Sequence, residues 1–192
     1  MPRYDKGHKD ETRRHILDVA SAQFRESGIA GVGLSGIMSE AGLTNGAFYT
    51  HFASKEDLVR EVLTDALTRR EERHKANLEN GVALETTIRD YLSTRHRDHA
   101  GSGCPTAALV AEIARHPKAT RDAFTGKVTD IIALMAEQIR LGTAKDRRRK
   151  AIAMYAIMVG ALQLSRAVND RRLSDEILEN AVKTAVAIAD ER

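Results

Sequence analysis

Apolar side chains recur every three to four positions along most of the chain, which is the spacing of amphipathic α-helices. The first stripe shows this pattern well: Ile16, Leu17, Ala20 and Phe24 share one helical face, and Gly28 follows as a terminator. Alanine, leucine, arginine and glutamate are abundant, and the 192 residues include only 3 prolines. Because these residue types favour helices, the sequence predicts an all-α fold of about nine helices.

The stretch 35–58 predicts a helix-turn-helix. Two short helical patterns meet at Gly42, which can take a positive φ without a Cβ clash. Thr44 is a good N-cap for the next helix, which is predicted over 45–52. That helix has Phe48 on its inner side and small or polar residues on its outer side. This is the arrangement of a motif whose second helix enters the major groove of DNA.

The same stretch resembles the TetR/AcrR family of transcriptional repressors. The residues AGLTNGAFYTHF at 41–52 and SKEDL at 54–58 follow the signature of that family closely. The resemblance implies a DNA-binding helix-turn-helix domain at residues 1–67 and a helical ligand-binding and dimerisation domain at residues 68–192. The sequence departs from the family at Gly33, which replaces the usual Ser or Thr and offers no hydroxyl to a phosphate.

The resemblance also implies which side chains contact double-stranded DNA. Hydroxyl, imidazole and ammonium groups suit phosphates, whereas Asn45 can pair bidentately with adenine and Ala47 or Thr50 can pack on a thymine methyl. The alternative is that Tyr49 and His51 only brace the small domain. The positions matched to phosphate contacts are Thr44, Tyr49, His51 and Lys55, and those matched to base contacts are Asn45, Gly46, Ala47 and Thr50.

Charge and composition narrow the class of protein. A formal net charge of +3 and a pI of about 9.1 permit binding to nucleic acid. No apolar run is long enough to span a bilayer and no apolar signal segment begins the chain, so we expect a cytoplasmic protein without a membrane partner. A single cysteine excludes an intramolecular disulfide framework. His96 and His99 alone make a weak metal site, and no catalytic set is recognisable, so we expect no enzyme activity, cofactor or metal.

The last two predicted helices, about 145–168 and from Ser174 onward, carry apolar side chains on more than one face. Between Ile152 and Leu164 the first of them is apolar almost all round. A two-fold four-helix bundle would cover these faces, and a larger intramolecular core is the alternative. The sequence therefore predicts a homodimer. The residues predicted at its interface are Ala156, Gly160, Ala161, Leu164, Leu178, Ala181, Val182, Ala185, Val186 and Ala189.

Cys104 directly follows the sequence Gly-Ser-Gly at 101–103. Pro105 suits the first position of the next helix, so the thiol lies at a helix N-terminus, where the dipole lowers a thiol pKa. The resemblance adds that some TetR-like proteins sense oxidants or electrophiles with a cysteine at this place. The alternative is a small buried residue that caps the helix.

Aliphatic and methionine side chains of the second domain are candidates for a ligand pocket. Such a lining is poor in aromatic rings and favours a modest apolar or reactive compound over a large flat cation. The same side chains would equally fill the core of a helical bundle. The candidates are Tyr91, Cys104, Leu109, Ile113, Phe124, Val128, Met135, Met154, Tyr155 and Met158.

These patterns and the resemblance together predict a DNA-binding transcriptional regulator. Its simplest form is a repressor that binds a palindromic operator as a homodimer and is released by a small-molecule effector in the C-terminal domain. The alternative is a repressor that senses redox state or electrophiles and is switched covalently at Cys104.

Overall fold

The computed structural model describes residues 6–191, and all regular elements in that range are helices. The all-α fold predicted from the sequence is confirmed. Residues 1–5 of the predicted DNA-binding domain, and residue 192, lie outside the described range. The described residues form ten α-helices and one turn of 3-10 helix, Ala100–Ser102. The α-helices are α1 (Lys6–Ser27), α2 (Leu34–Glu40), α3 (Asn45–Phe48), α4 (Lys55–Glu79), α5 (Leu84–Tyr91), α6 (Thr94–Asp98), α7 (Pro105–Ile113), α8 (Lys118–Gln138), α9 (Ala144–Ala167) and α10 (Arg171–Asp190).

Two helices differ from their predicted form. The helix predicted over 45–52 is α-helical only as far as Phe48, after which the amide of His51 donates to the Phe48 carbonyl at 2.9 Å in a tighter turn. The short helix α6 was not predicted as a separate element. It begins because Ser93 Oγ accepts a hydrogen bond from the His96 amide at 3.2 Å and so acts as an N-cap.

The first hydrophobic core lies between α1, α2, α3 and the first half of α4. Phe24 and Phe48 are almost fully buried in it. The predicted turn at Gly42 is present and has a φ of +69°. Leu109 and Ile113 of α7 also pack into this core, so a helix from the second half of the chain completes it.

The helix α4 connects the two halves of the molecule. Ser54 caps it by accepting a hydrogen bond from the Asp57 amide at 3.1 Å, as its sequence predicts. Leu63 belongs to the first core and Leu67 to the second. Because α4 runs without interruption through residues 67 and 68, the domain boundary placed there stays a prediction.

The second core lies between the end of α4, α5 and α7 to α10, and most of the predicted pocket residues pack there. Leu109 and Ile113 do not, which corrects the sequence analysis: α7 lies between the two cores and presents these residues to the first one. Leu109 and Ile113 therefore do not share one core with the other candidates, and a ligand pocket in the second core stays a prediction. The buried residues of the second core are Tyr91, Cys104, Met135, Met154, Tyr155 and Met158, with Phe124 and Val128 partly buried against it.

Several residues predicted at the dimer interface lie inside the chain's own core, which is a second correction. The more apolar stripe of α10 packs on α9 within the chain, so most of its side chains are already covered without a partner. Another face of α9 remains open. Its outer stripe comprises the exposed Ile152, Ala156 and Leu164 and the half-buried Gly160, and Leu164 is 58% exposed. The interface residues found in the core are Ala161, Leu178, Ala181, Val182 and Ala185, and Val186 and Ala189 are partly buried against it.

Polar contacts join the C-terminal half of the chain to the first core. The carboxylate of Glu112, on α7, accepts hydrogen bonds from the amides of Ile29 (3.2 Å) and Ala30 (2.9 Å) in the loop between α1 and α2. At the start of α4, Glu56 accepts a hydrogen bond from His116 Nδ1 at 2.9 Å. These contacts fix α7 and the α7–α8 loop against the N-terminal helices.

Candidate nucleic-acid interface and the Cys104 site

The turn between α2 and α3 fixes the direction of α3. After Gly42, the amide of Leu43 donates to the carbonyl of Met38 at 2.8 Å, which closes the turn. The side-chain amide of Asn45 donates to Ser35 Oγ at 3.1 Å, so the first residue of α3 is also tied to the start of α2. The two helices therefore present their outer sides as one surface.

The outer side of α3 is open to a large ligand. Thr44, Asn45, Gly46 and Thr50 are exposed, and Tyr49 is 68% exposed. Ala47 is half-buried at the edge of this surface. A Cβ placed on Gly36 or on Gly46 would meet nothing within 4 Å. The surface can therefore lie close against a polymer such as DNA, with side chains of the types that contact phosphates and bases. We call the outer surface formed by residues 44–50 the reading face.

Lys55 lies beside the reading face but already has partners. Its ammonium donates to the carbonyl of Ile29 at 2.7 Å and to that of Val32 at 2.5 Å. In the free chain Lys55 thus braces the loop between α1 and α2, a role that the sequence analysis did not anticipate. Its contact with a phosphate stays a prediction.

His51 is half-buried beside basic residues of α1. Its Nδ1 is buried and has no hydrogen-bond partner among the described residues. Burial lowers the pKa of His51, and the nearby charges of Lys9 and Arg13 lower it further. Arg13 stands 4.9 Å above the ring of Phe52. His51 is therefore a neutral imidazole at pH 7, within a positively charged edge that suits phosphate.

A second site lies in the C-terminal half of the chain, around Cys104. The thiol is fully buried, and the amide of Cys104 donates to His96 Nε2 at 2.8 Å. His96 Nδ1 donates to the Tyr91 carbonyl at 2.6 Å, which fixes the neutral tautomer of the ring. Both ring nitrogens are occupied, so His96 is not free to bind a metal.

Within the range 6–191 no group of three or more His, Cys, Asp or Glu side chains could hold a metal ion. In the same range no helix is long and apolar enough to cross a membrane.

Arginine side chains surround the thiol. Arg70 lies 4.7 Å above the ring of Tyr91, and Arg25 and Arg166 also approach Cys104. Across the described part of the chain, none of these arginines forms an ion pair with a carboxylate. The Tyr91 hydroxyl is buried there without a conventional hydrogen-bond partner. The site is thus rich in positive charge that no acidic side chain neutralises.

This environment favours the charged form of the thiol. Burial alone would raise the pKa of Cys104, but Arg70, the Tyr91 hydroxyl and the amides of Ala107 and Thr106 lower it, and the net direction is downward. The amides belong to the first turn of α7, where the helix dipole acts in the same sense. A thiolate at this site would supply the missing negative charge.

The loop that carries Cys104 is closely packed, although its glycines suggest flexibility. A Cβ on Gly101 would overlap the carboxylate of Glu26 on α1. A Cβ on Gly103 would lie 2.9 Å from His96 Nε2 and 3.0 Å from Arg166 Nη2. Glycine is needed here for close approach, and the loop is in direct contact with the N-terminal helices.

Arg70 was not predicted as part of this site, although its position in the sequence carried a signal. Arg70 follows Ala66 by one helical turn and therefore continues the buried stripe of α4. Arg25 and Arg166 had no such signal, because their helices approach Cys104 only in the folded chain.

The lowered pKa of His96 predicts how the free energy of unfolding depends on pH. Burial lowers the pKa of His96 to about 4, with Arg70 and Arg166 adding to the effect, whereas the unfolded value is about 6.5. The unfolded chain therefore binds more protons between these values, and folding stability should fall as pH drops from 6.5 towards 4. Thermal unfolding at several pH values should show this fall. In His96→Gln it should be shallower but still present, since His51 and His74 also have lowered pKa values. An unchanged pH dependence in the variant would contradict the assignment.

Comparison with known proteins places both halves of the chain in one family. The family model described as bacterial regulatory proteins, tetR family, matches residues 16–62, and the model of the tetracyclin repressor-like C-terminal domain matches residues 82–181. The transcriptional repressor NemR of Escherichia coli K12 is 26% identical over 93% of this chain and 94% of its own length. The transcriptional regulator AcrR of Shigella flexneri is 45% identical, but over only 32% of this chain and 29% of its own length.

Solved structures agree with this assignment. The crystal structure of the reduced form of E. coli NemR superimposes with a TM-score of 0.76 at 26% identity, covering 91% of this chain and 95% of that one. A TetR-family regulator from Cytophaga hutchinsonii superimposes with a TM-score of 0.77 at 20% identity over 95% of this chain and 97% of that one, which supports the fold alone. The chain belongs to the TetR family of DNA-binding transcriptional regulators.

Proposed function

We propose that this regulator is a repressor, which binds a palindromic operator as a homodimer and is released when a small molecule acts on its C-terminal domain. The observation that carries the proposal is the open reading face on α3, held in place by a well-packed core. Two copies related by a two-fold axis would place two reading faces in successive turns of the major groove. The relatives named as repressors support this sign of regulation. We place its action in the cytoplasm, and it involves no catalytic step.

The residues on and beside the reading face fall into two groups, those that would position the protein on the phosphates and those that would read the base sequence. Thr44 and Tyr49 flank α3 and carry exposed hydroxyls, which suit phosphates on either side of the groove. His51 and Lys55 add an imidazole and an ammonium near the same edge. Asn45, Gly46 and Ala47 of α3, with Thr50 in the turn that follows, would meet base edges, and Asn45 comes first along the helix.

Asn45 provides the test of this assignment. Asn45→Ala should lose about 1–3 kcal/mol per half-site if its amide pairs bidentately with adenine, and should relax preference at one symmetric base pair. Binding to random duplex should change little. The measurement is titration against operator, a singly substituted operator and random duplex over a range of salt. The operator is first selected from genomic fragments with the purified protein.

Ser35→Ala is the matched control. It removes the hydrogen bond that holds the Asn45 amide in the free chain but leaves the base-reading group in place. Its effect on operator binding should be smaller than that of Asn45→Ala. Equal weakening of all three duplexes by Asn45→Ala would make Asn45 a backbone contact.

A second candidate is a covalent switch at Cys104, which the arginine-rich surroundings of the thiol favour. The crystal structure of NemR that resembles this chain is that of its reduced form, so a redox state is specified for this relative. The thiolate would attack one oxygen of hydrogen peroxide, the O–O bond would break, and hydroxide would leave and take up a proton to form water. The sulfur would be oxidised to sulfenic acid and the peroxide reduced.

The packing supports a link from this modification to the reading face. The Cys104 side chain is fully buried, so an added oxygen or carbon group needs space that the site does not offer. The glycine loop before it contacts Glu26 of α1. Expansion at the sulfur would therefore press the loop against the N-terminal helices and change the relative position of the two reading faces in a dimer.

A further inference from the structure

A crevice of about 740 Å³ opens at the far end of α4 from the reading face. Leu78 and Gly81 line it, so roughly 35 Å of helix separate it from Lys55. Its volume is within the usual range for small-molecule sites. None of the residues predicted from the sequence as a ligand pocket lines it. It is a site distinct from the Cys104 centre.

The walls of the crevice are aliphatic. Leu84 and Ile88 of α5 face Ile139, at the end of α8, and Val186 of α10. No aromatic ring from residues 6–191 lines it. A flexible hydrocarbon chain gains burial against such walls, whereas a flat aromatic compound would find no ring to stack on.

One polar group of the lining lacks a partner. Gln138 lines the crevice, and its Oε1 is buried without a hydrogen-bond partner in the described residues. The Nε2 of the same amide lies 2.7 Å from His74 Nε2 and donates to it in the tautomer that leaves this ring nitrogen unprotonated, so that the amide oxygen stays free. Burial lowers the pKa of His74, and Arg70 lowers it further, so the imidazole is neutral and can accept this bond. Gln138 therefore offers an acceptor to a ligand that carries a donor.

The rim of the crevice is acidic. Among the described residues, Glu85, Glu137 and Asp190 line it, against one guanidinium, that of Arg140. Glu85 is paired with Arg89 at 2.6 Å. In the described part of the chain Glu137 and Asp190 form no ion pair, so their charges are available to a cation.

We propose that this crevice binds an elongated aliphatic amine. The protonated amine would donate to Gln138 Oε1 and lie near Glu137 and Asp190, while its hydrocarbon chain would pack between α5, α8 and α10. Its action as the effector rests on the function proposed above. A ligand here would contact the end of α4, whose other end begins beside the reading face.

Probes of equal chain length test the ligand class. n-Decylamine, decyltrimethylammonium and decanoate are titrated by calorimetry into the full-length protein, below the concentrations at which they form micelles. We expect n-decylamine to bind at least tenfold more tightly than decanoate, because the rim is acidic. It should also bind more tightly than decyltrimethylammonium, which has no N–H to donate. Equal affinity for the amine and the carboxylate would overturn the proposal.

Two variants of matched chemistry locate the site. Ala83→Trp places an indole in the crevice, where Ala83 is part of the lining, and should reduce amine affinity at least tenfold. Ala133→Trp makes the same change at an exposed position on α8 outside the crevice and should leave the affinity unchanged. Glu137→Gln should weaken the amine but not decanoate. Unchanged binding in Ala83→Trp would place the amine elsewhere and overturn the site.

Operator titrations separate this inference from the proposed function. Without any ligand, wild-type protein should bind the operator. Failure to bind would contradict the proposed repressor function, whereas the proposed amine site would still be tested by calorimetry. With n-decylamine, operator affinity should fall in wild type and in Ala133→Trp but not in Ala83→Trp. If the amine binds in the crevice without changing operator affinity, the effector role is overturned.

Discussion

Gly160→Arg should convert the protein from a dimer to a monomer and abolish tight operator binding. Gly160 is half-buried and lies between the exposed Ala156 and Leu164 on the outer stripe of α9. In a dimer that pairs these stripes, the new side chain would clash and leave a buried charge without a partner, at a cost of about 3–5 kcal/mol. A monomer can occupy only one half-site, so most of the operator affinity would be lost.

The fold of the single chain should survive this change. A Cβ on Gly160 meets nothing within 4 Å, so an arginine there points away from the chain's own core. Gly126→Arg is the matched control, because Gly126 is exposed on α8 and its Cβ would also meet nothing within 4 Å. Sedimentation at micromolar concentration should show a monomer for Gly160→Arg and a dimer for wild type and Gly126→Arg. A monomeric wild type, or a Gly160→Arg dimer, would contradict the α9 interface.

Mild peroxide or an electrophile should release the wild-type protein from its operator and leave Cys104→Ser bound. If Arg70 holds the thiol as a thiolate, Arg70→Met should slow alkylation of Cys104 near pH 7, by about tenfold for each unit by which the thiol pKa rises above the pH of the assay. The measurements are the rate of alkylation as a function of pH and operator binding before and after treatment.

Arg69→Met is the control for this second experiment. Arg69 precedes Arg70 in the chain but pairs with Asp18 and Asp65 and is not among the groups that act on Cys104, so its loss should not change the thiol. Alkylation at the rate of an ordinary buried thiol, together with unaffected DNA binding, would exclude the covalent switch and leave the reversible effector.

The helix-turn-helix could be predicted from the sequence because local preference and packing agree there. Gly42 takes the positive φ that its turn needs, and Ser54 caps α4 through Asp57. Phe48 faces the core while its polar neighbours face outward. The turn, the cap and the direction of Phe48 are each determined by residues close together in the chain, so the sequence pattern is sufficient to specify this structure.

The Cys104 site could not be predicted in the same way, because its charges come from distant elements. Arg25, Arg70 and Arg166 belong to α1, α4 and α9 and meet only after folding. The partners of Lys55 were hidden for a related reason. They are backbone carbonyls of a loop more than twenty residues earlier, which no side-chain pattern reveals.

The dimer face illustrates a different limit. α9 is apolar on several sides, and a pattern of apolar residues does not say which side meets the chain's own core and which remains open. The stripe on α10 looked available because it is apolar, yet Leu178 and Ala185 are buried against α9. The open stripe became visible only once the intramolecular packing was known.

The position of α7 has a consequence for engineering. A chimeric regulator would join the DNA-binding head of one protein, here α1 to α3 with the first half of α4, to the sensing half of another. Leu109 and Ile113 complete the core of this head, and Glu112 holds the loop at Ile29 and Ala30. A graft cut within α4 would separate the head from these residues and expose part of its core. A transplantable unit therefore has to carry α7, or a recipient helix redesigned to match it.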